Sequence, residues 1–463
     1  MVLAPELPSN LSFSTALLRR RERLAQRFHY PAVLWSGRPT PRNFPANRYP
    51  FRASSHFLYF AGLPLHNAAI YLHQGRLILF MDDAPPSSAL WHGSGATRDT
   101  IAETIGADGA YPLGDLTHHL TQGQAIATLE VQDAQMRYDQ ALALGRSIDS
   151  EPTPNDQALA AAVVELRLIH DEYALAEIRR AVAVTVAAHK AGMACTQQAV
   201  READVRGAME GVILSHDMTP AYNSIVTVQG EVLHNERYHN ALCSGDLLLA
   251  DVGAETELGW ASDVTRTWPV SGRFSSTQRD VYDVVLAAHD AAIAALSPGT
   301  EYRDIHWQAC RTLTEGLVDL GILLGQVDTL LEQDAHALFF PHGVGHLLGL
   351  DVHDMEDLGD LAGYASGRCR SPRFGLGYLR LDRAIQAGMA VTIEPGFYQV
   401  PAILNDPDRR SRYRRVVNWT RLEQFADVRG IRIEDDLLVT AEGVEVLTAA
   451  LPVKAPDVEA LVR

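Results

Sequence analysis

Two stretches far apart in this 463-residue chain follow one plan. "GDLLLADVGA", from Gly245, and "GMAVTIEPGF", from Gly388, each open on Gly, run apolar and place an acid six positions on, Asp251 and Glu394. Each has a further Gly two residues beyond, Gly253 and Gly396. Each is followed by a second acid on what reads as a returning strand: Asp263 in "SDVTRT" and Glu434 in "GIRIEDDLLVT". A carboxylate at the end of a core-directed strand costs several kcal/mol unless something positive compensates it. Between Asp246 and Thr267 there is no Lys, and the one Arg, Arg266, follows both aspartates. The matched order of the two pairs predicts a duplicated domain whose halves face each other and bring four carboxylates to one point. Four anions cannot share a buried centre without protons or cations. Two divalent metal ions bridged by carboxylates solve the problem, and such pairs activate water and stabilise tetrahedral intermediates.

An oxygen-rich ligand set with one imidazole suits Mn²⁺, with Zn²⁺ or Co²⁺ as alternatives. Imidazoles are available in "FFPHGVGHLLGLDVHD", residues 339–354, which holds His342, His346 and His353. His342 and His346 have the spacing of zinc ligands on a helix, but Gly343 and Gly345 oppose a helix there and the HExxH glutamate is missing. Gly343, Gly345 and Gly349 nearly imitate a dinucleotide loop, yet the third comes one place late and no clear strand precedes them. A single His among apolar residues is more often a hydrogen-bonded core residue than a ligand. Three within twelve positions, interleaved with glycines that admit close backbone approach, point to a site. His234, in "VQGEVLHNERYHN", reads alone as a loop histidine, as does its neighbour His239.

The length predicts two or three domains. Residues 28–150 hold strand-like pieces at 31–37 and 75–83 and a helical stretch at 98–107, an expected small α/β domain. The polar, proline-bearing segment 149–156 reads as a linker. After it comes an Ala- and Leu-rich stretch without Gly or Pro until Gly192, expected to form one or two long helices. The expected boundaries are 1–155 and 156–463, and a further helix is predicted over 277–296. A net charge of −17 argues against nucleic acid as a partner. No apolar run is long enough for a membrane span. Cys195, Cys243, Cys310 and Cys369 lack CxxC spacing, which points away from a disulfide framework and toward a reducing, cytoplasmic setting.

Taken in order, "DVGAETELGWASDVTRTWPV", "HGVGHLLGLDVHD", "TIEPGFY" and "GIRIEDDLLVT" resemble the metallopeptidase family of aminopeptidase P and prolidase. The resemblance covers roughly residues 223–440 and implies the α/β (α+β) pita-bread fold. "FPANRYPFRASSHFLYFAGL" and "ALWHGSGATRD" resemble the smaller N-terminal α/β domain of the same family. The resemblance implies metal ligands Asp251, Asp263, His346, Glu394 and Glu434, with Asp263 and Glu434 bridging. It further implies proton transfer by Glu394, oxyanion stabilisation by His353, and contact of His234 with the substrate near the reacting amide. His342 is implied as a pocket residue, and Tyr398 and Arg432 as residues orienting the site. The implied activity is removal of the N-terminal residue from peptides with proline in second position, by metal-bound hydroxide, in a homodimer or homotetramer.

The chain departs from that pattern in places. The segment between Asp251 and Asp263 is one residue longer than in relatives, which predicts an enlarged hairpin tip near Glu257. Two Arg-rich insertions, 364–383 and 401–428, lie between matched motifs and are expected near the site. After "WHG" the chain has "SGA" where some relatives carry two arginines. An Xaa-Pro dipeptidase is the nearest alternative, and a non-catalytic binding protein of the same fold is a remote one.

Overall fold

A computed structural model describes residues 13–120 and 125–462. The chain falls into two compact units. The first runs to Glu177 and takes in Glu257–Gly259; the second holds Ile178–Thr256 and the remainder from Trp260.

The first unit is built on a five-stranded sheet ordered Gly109–Tyr111, Arg76–Phe80, Ala69–His73, Ala32–Trp35 and Ala127–Thr128. The three middle strands are antiparallel to their neighbours in that trio, and the two outer strands add in parallel. The hairpin between His73 and Arg76 turns on two residues, Gln74 and Gly75, both at positive φ, as a tight turn matched to strand twist requires. Val33, Trp35, Ala69 and Phe80 on one sheet face pack with Leu116, Leu120 and Ile126 into an apolar core. The predicted helix at 98–107 spans Arg98–Ile105, capped by the Thr97 side chain.

The polar segment 149–156 ends in a helix start. Thr153 and Asp156 form a reciprocal capping box on the helix Pro154–Arg167, with Pro154 in the first turn. The buried Asp156 also accepts from the Thr128 amide at 2.7 Å and from Arg146 at 2.8 Å. These bonds tie the helix to the sheet strand Ala127–Thr128, so it packs within the first unit. The division between units lies later than the expected 155/156 boundary, inside the next helix, Glu172–Cys195.

The second unit repeats one construction. Thr265–Pro269, Leu247–Asp251 and Ile225–Thr227 form one antiparallel sheet, and Ala390–Ile393, Asp435–Thr440 and Gly443–Val446 form another. In the first, Asp251 ends its strand opposite Thr265; in the second, Ile393 lies opposite Asp435, with Glu394 and Glu434 just past the paired ends. The halves meet where the Glu434 amide donates to the Thr265 carbonyl at 3.0 Å and the Arg432 amide to Thr267 Oγ1 at 3.2 Å. The repeated glycines are steric necessities. A Cβ at Gly253 would strike the Ser262 carbonyl oxygen, and one at Gly396 the Tyr398 ring and the Ile431 carbonyl.

Helices Ser276–Ala295 and Tyr302–Asp319 pack against each other; the first is the one predicted at 277–296, opened by a capping box of Ser275 and Gln278. The 401–428 insertion forms three short helices, Pro401–Leu404, Pro407–Tyr413 and Trp419–Glu423, which bury Leu404, Tyr413 and Leu422. Arg409 stacks over Phe374 of the 364–383 insertion with its guanidinium 4.4 Å from the ring centre.

Candidate metal centre

The strand ends deliver four carboxylates to the seam between the halves, and the loop after Phe340 adds an imidazole. Ligand atoms of Asp251, Asp263 and Glu434 lie within 4.8 Å of one another, as do those of His346, Glu394 and Glu434, and those of Asp263, His346 and His353. The five residues named as ligands by resemblance are thus gathered at one place. Asp251, Asp263, His346 and Glu434 are buried.

His346 Nδ1 faces the Leu347 carbonyl at 3.0 Å. A proton held there leaves the Nε2 lone pair toward Asp263 Oδ2 at 3.3 Å and Glu394 Oε1 at 3.8 Å, the tautomer a metal ligand needs. Burial pushes His346 below its ordinary value and so keeps the imidazole neutral.

The carboxylates are short of positive charge. Burial, reinforced by Asp251, raises Asp263 to about 7; burial also raises Glu394 to about 7 against the opposing pull of His346 and Arg432. Glu434 is driven well above the carboxylate range by burial and then by Asp263, Glu394 and Asp251. Arg432, itself buried, donates to Asp251 Oδ2 at 2.5 Å. One guanidinium against four acids leaves a deficit that divalent cations fit, and the oxygen-rich donors with one imidazole match such ions chemically.

Around this centre the structure supplies orienting bonds. Thr265 Oγ1 donates to Glu434 Oε2 at 2.7 Å, and the Asp263 amide donates to Asp436 at 3.1 Å. Arg432 donates to the Tyr398 hydroxyl at 3.1 Å, and that hydroxyl lies 2.9 Å from His342 Nε2. Burial lowers His342 to about 3 and keeps the ring neutral; its Nδ1 faces the Gly343 carbonyl at 2.8 Å and holds the hydrogen there, so Nε2 accepts from the tyrosine. His353 sets its ring 4.3 Å from that of His346 and points Nδ1 at Glu356, 2.7 Å away.

His234 lies on the exposed side of the loop after Ile225–Thr227 and outside the three clusters; partial burial first, and then the positive charge of Arg432, push it below its ordinary value, against the opposing pull of Asp251. Tyr222 is the residue sequence reasoning missed. Its hydroxyl lies 2.5 Å from Asp251 Oδ1 and 2.6 Å from Asp263 Oδ1. The signal available was Gly253, whose missing Cβ makes room for the Tyr222 ring.

The description "Metallopeptidase family M24" matches residues 176–441, and "Aminopeptidase P, N-terminal domain" matches residues 17–129. The chain is 31% identical to the Xaa-Pro aminopeptidase of Escherichia coli (strain K12), with 96% of each covered. It is also 31% identical to the Xaa-Pro aminopeptidase of Haemophilus influenzae, over 90% of this chain and 89% of that one. Among solved structures it is similar to E. coli aminopeptidase P with the inhibitor Pro-Leu: TM-score 0.79, 29% identity, 98% of this chain and 99% of that one covered. Pseudomonas aeruginosa aminopeptidase PepP is similar at TM-score 0.76 and 29% identity, over 97% and 98% of the two chains.

Proposed function

The chain belongs to metallopeptidase family M24, and from that premise we propose that it is an Xaa-Pro aminopeptidase, a metal-dependent hydrolase removing the N-terminal residue from peptides with proline in second position. The observation that carries this reading is the convergence of Asp251, Asp263, His346, Glu394 and Glu434 at the seam of two like halves.

These five side chains would hold two divalent ions, with Mn²⁺ the best match to the donors and Zn²⁺ or Co²⁺ the alternatives. When bound, such a pair supplies a water acidic enough to act as nucleophile near neutral pH and a Lewis acid for the scissile carbonyl. The chain's own residues do the rest. Glu394 is suited to take a proton from the attacking water and deliver it to the leaving nitrogen, its carboxylate standing at the strand end beside His346. His353, whose Nδ1 is taken by Glu356, would donate from Nε2 to the carbonyl oxygen as negative charge builds there. His234 is free to approach the peptide from its exposed loop. The bonded line His342–Tyr398–Arg432 fixes the pocket wall beside Asp251. Proline's nitrogen carries no hydrogen, so recognition of the scissile bond rests on its carbonyl, the atom these donors address.

No helix among the described residues is long and apolar enough to cross a membrane. A cytoplasmic homodimer or homotetramer completes the proposal, and sedimentation measures the assembly. The activity is tested by release of the first residue from an Xaa-Pro tripeptide with Mn²⁺, Zn²⁺ or Co²⁺ supplied. An Xaa-Pro dipeptide assayed alongside separates aminopeptidase from dipeptidase preference. A folded, metal-loaded protein that cleaves no Xaa-Pro peptide sinks the reading.

A further inference from the structure

The 364–383 insertion has a contact that bears on the site. Its Arg380 donates from Nε to Glu356 Oε1 at 3.2 Å, and Arg370 reaches the same oxygen at 3.9 Å. Arg370 is anchored in turn by Asp360 at 2.7 Å and lies over the Tyr364 ring, 5.8 Å from its centre. The other oxygen of Glu356, Oε2, takes the contact with His353 Nδ1 at 2.7 Å. The two sides of one carboxylate are therefore engaged by different segments. His346, His353, Glu356, Arg370 and Arg380 line one small cavity.

The backbone that presents Glu356 is itself wound tight. Met355, fully buried, sits at φ 61, a conformation that is costly for a non-glycine residue and persists only where the surroundings enforce it. Asp354 supplies that enforcement: its amide donates to the Leu347 carbonyl at 3.0 Å and its carboxylate accepts from the Asp351 amide at 3.1 Å. The Glu356 amide closes the turn on the His353 carbonyl at 3.2 Å. The turn thus points the Glu356 side chain back along the ring it follows in sequence.

We propose that Glu356 is a positioning residue for His353: its carboxylate, held from behind by Arg380 and Arg370, fixes the ring's tautomer and direction so that Nε2 alone serves the reaction. An imidazole with a carboxylate on Nδ1 keeps its proton there, and the other nitrogen is presented in one orientation. The bond from His353 is the largest influence holding Glu356 down, to about 2, so the orienting carboxylate stays ionised. The insertion thereby contributes to the site at one remove, supplying the cations that hold this anion in place. The proposal rests on the role of His353 given above.

The test measures kcat and KM for Xaa-Pro tripeptide cleavage by the Mn²⁺-loaded full chain, in Glu356→Gln, Glu356→Leu, His353→Ala and the Glu356→Leu/His353→Ala double variant. Metal content and melting temperature are recorded for each. The expected result is a loss of about 10–100-fold in kcat for Glu356→Leu, with KM changed less than about threefold. Glu356→Gln, which keeps shape and loses charge, falls between. In the His353→Ala background the Glu356→Leu change has almost no further effect, because the residue acts through the ring. Full kcat in Glu356→Leu beside a crippled His353→Ala overturns the proposal alone. So does an equal loss from Glu356→Leu in both backgrounds. A wild-type rate in His353→Ala removes the role assigned to that histidine, and this proposal with it.

Discussion

The Tyr222 hydroxyl stands between two carboxylates, 2.5 Å from Asp251 Oδ1 and 2.6 Å from Asp263 Oδ1. One hydroxyl hydrogen cannot serve two anionic acceptors, so this spacing calls for a second proton or a cation beside the pair. The tyrosine therefore belongs to the ligand scaffold: it braces the two aspartates that one half of the domain contributes. Tyr222→Phe keeps the ring and removes the brace. Affinity for Mn²⁺ should fall about 10–100-fold, read by calorimetric titration, with the melting temperature of the metal-free protein little changed. Unaltered affinity would remove Tyr222 from the scaffold.

Glu394→Gln tests the proton carrier. The amide keeps the volume and one oxygen but cannot take up a proton, so kcat should drop at least about 100-fold on Xaa-Pro tripeptides, within the usual reach of general acid–base catalysis. Metal analysis of the same sample is needed, since Glu394 is also a proposed ligand. A rate near wild type in a metal-loaded variant would take Glu394 out of the mechanism.

Metal removal should destabilise the second unit. Asp251, Asp263, Glu394 and Glu434 repel one another when no cation stands among them, and an ion bound only by the folded state stabilises it by mass action. Chelation should lower the melting temperature, and readdition of Mn²⁺ should restore it in proportion to the logarithm of its concentration. A melting curve indifferent to chelator and metal would contradict the site.

Arg266 is the internal strut of the seam. Buried among both halves, it donates to the Glu434 carbonyl and Asp435 at 2.6 Å each, and to the Leu451 carbonyl at 3.1 Å. Arg266→Leu leaves Asp435 buried without its guanidinium, with His289 Nε2 at 3.0 Å on its other oxygen, which should cost about 3–5 kcal/mol in urea unfolding. An unfolding midpoint equal to that of wild type would show that the strut carries no stability.

The first unit carries its own pH dependence. Arg20 grips Asp171 from Nε at 2.7 Å and from Nη2 at 2.9 Å. Burial alone would raise Asp171, but the guanidinium outweighs it and the net result is a carboxyl below its usual range. A folded pKa lower than the unfolded value of about 3.9 gives stability that is fully present above that value and lost as pH falls through the folded one. Asp171→Asn should therefore melt lower than wild type at pH 7, and the gap should narrow as pH falls below about 3.9 and close only below the depressed folded value. A gap that persists in acid would assign the effect to packing instead.

The sequence by itself determined the plan of the second unit. Apolar runs ending on acids, each with a glycine two places on, predicted strands that bury carboxylates, because local polarity and steric demand act on neighbours along the chain. Asp251, Asp263, Glu394 and Glu434 converge for that reason. The helices at 98–107 and 277–296 were legible in the sequence as helix-like stretches, and the structure adds their caps at Thr97 and Ser275. Tertiary structure decided what no local pattern records. Segment 149–156 carries linker composition, yet Asp156 is pulled onto the first sheet by Thr128 and Arg146, residues it meets only after folding. Tyr222 touches Asp251 and Asp263 across strands, and Arg370 and Arg380 approach His353 through Glu356 from a separate segment. Such contacts are set by strand register and loop packing, so the side chains that orient the ligands emerge only when distant segments meet.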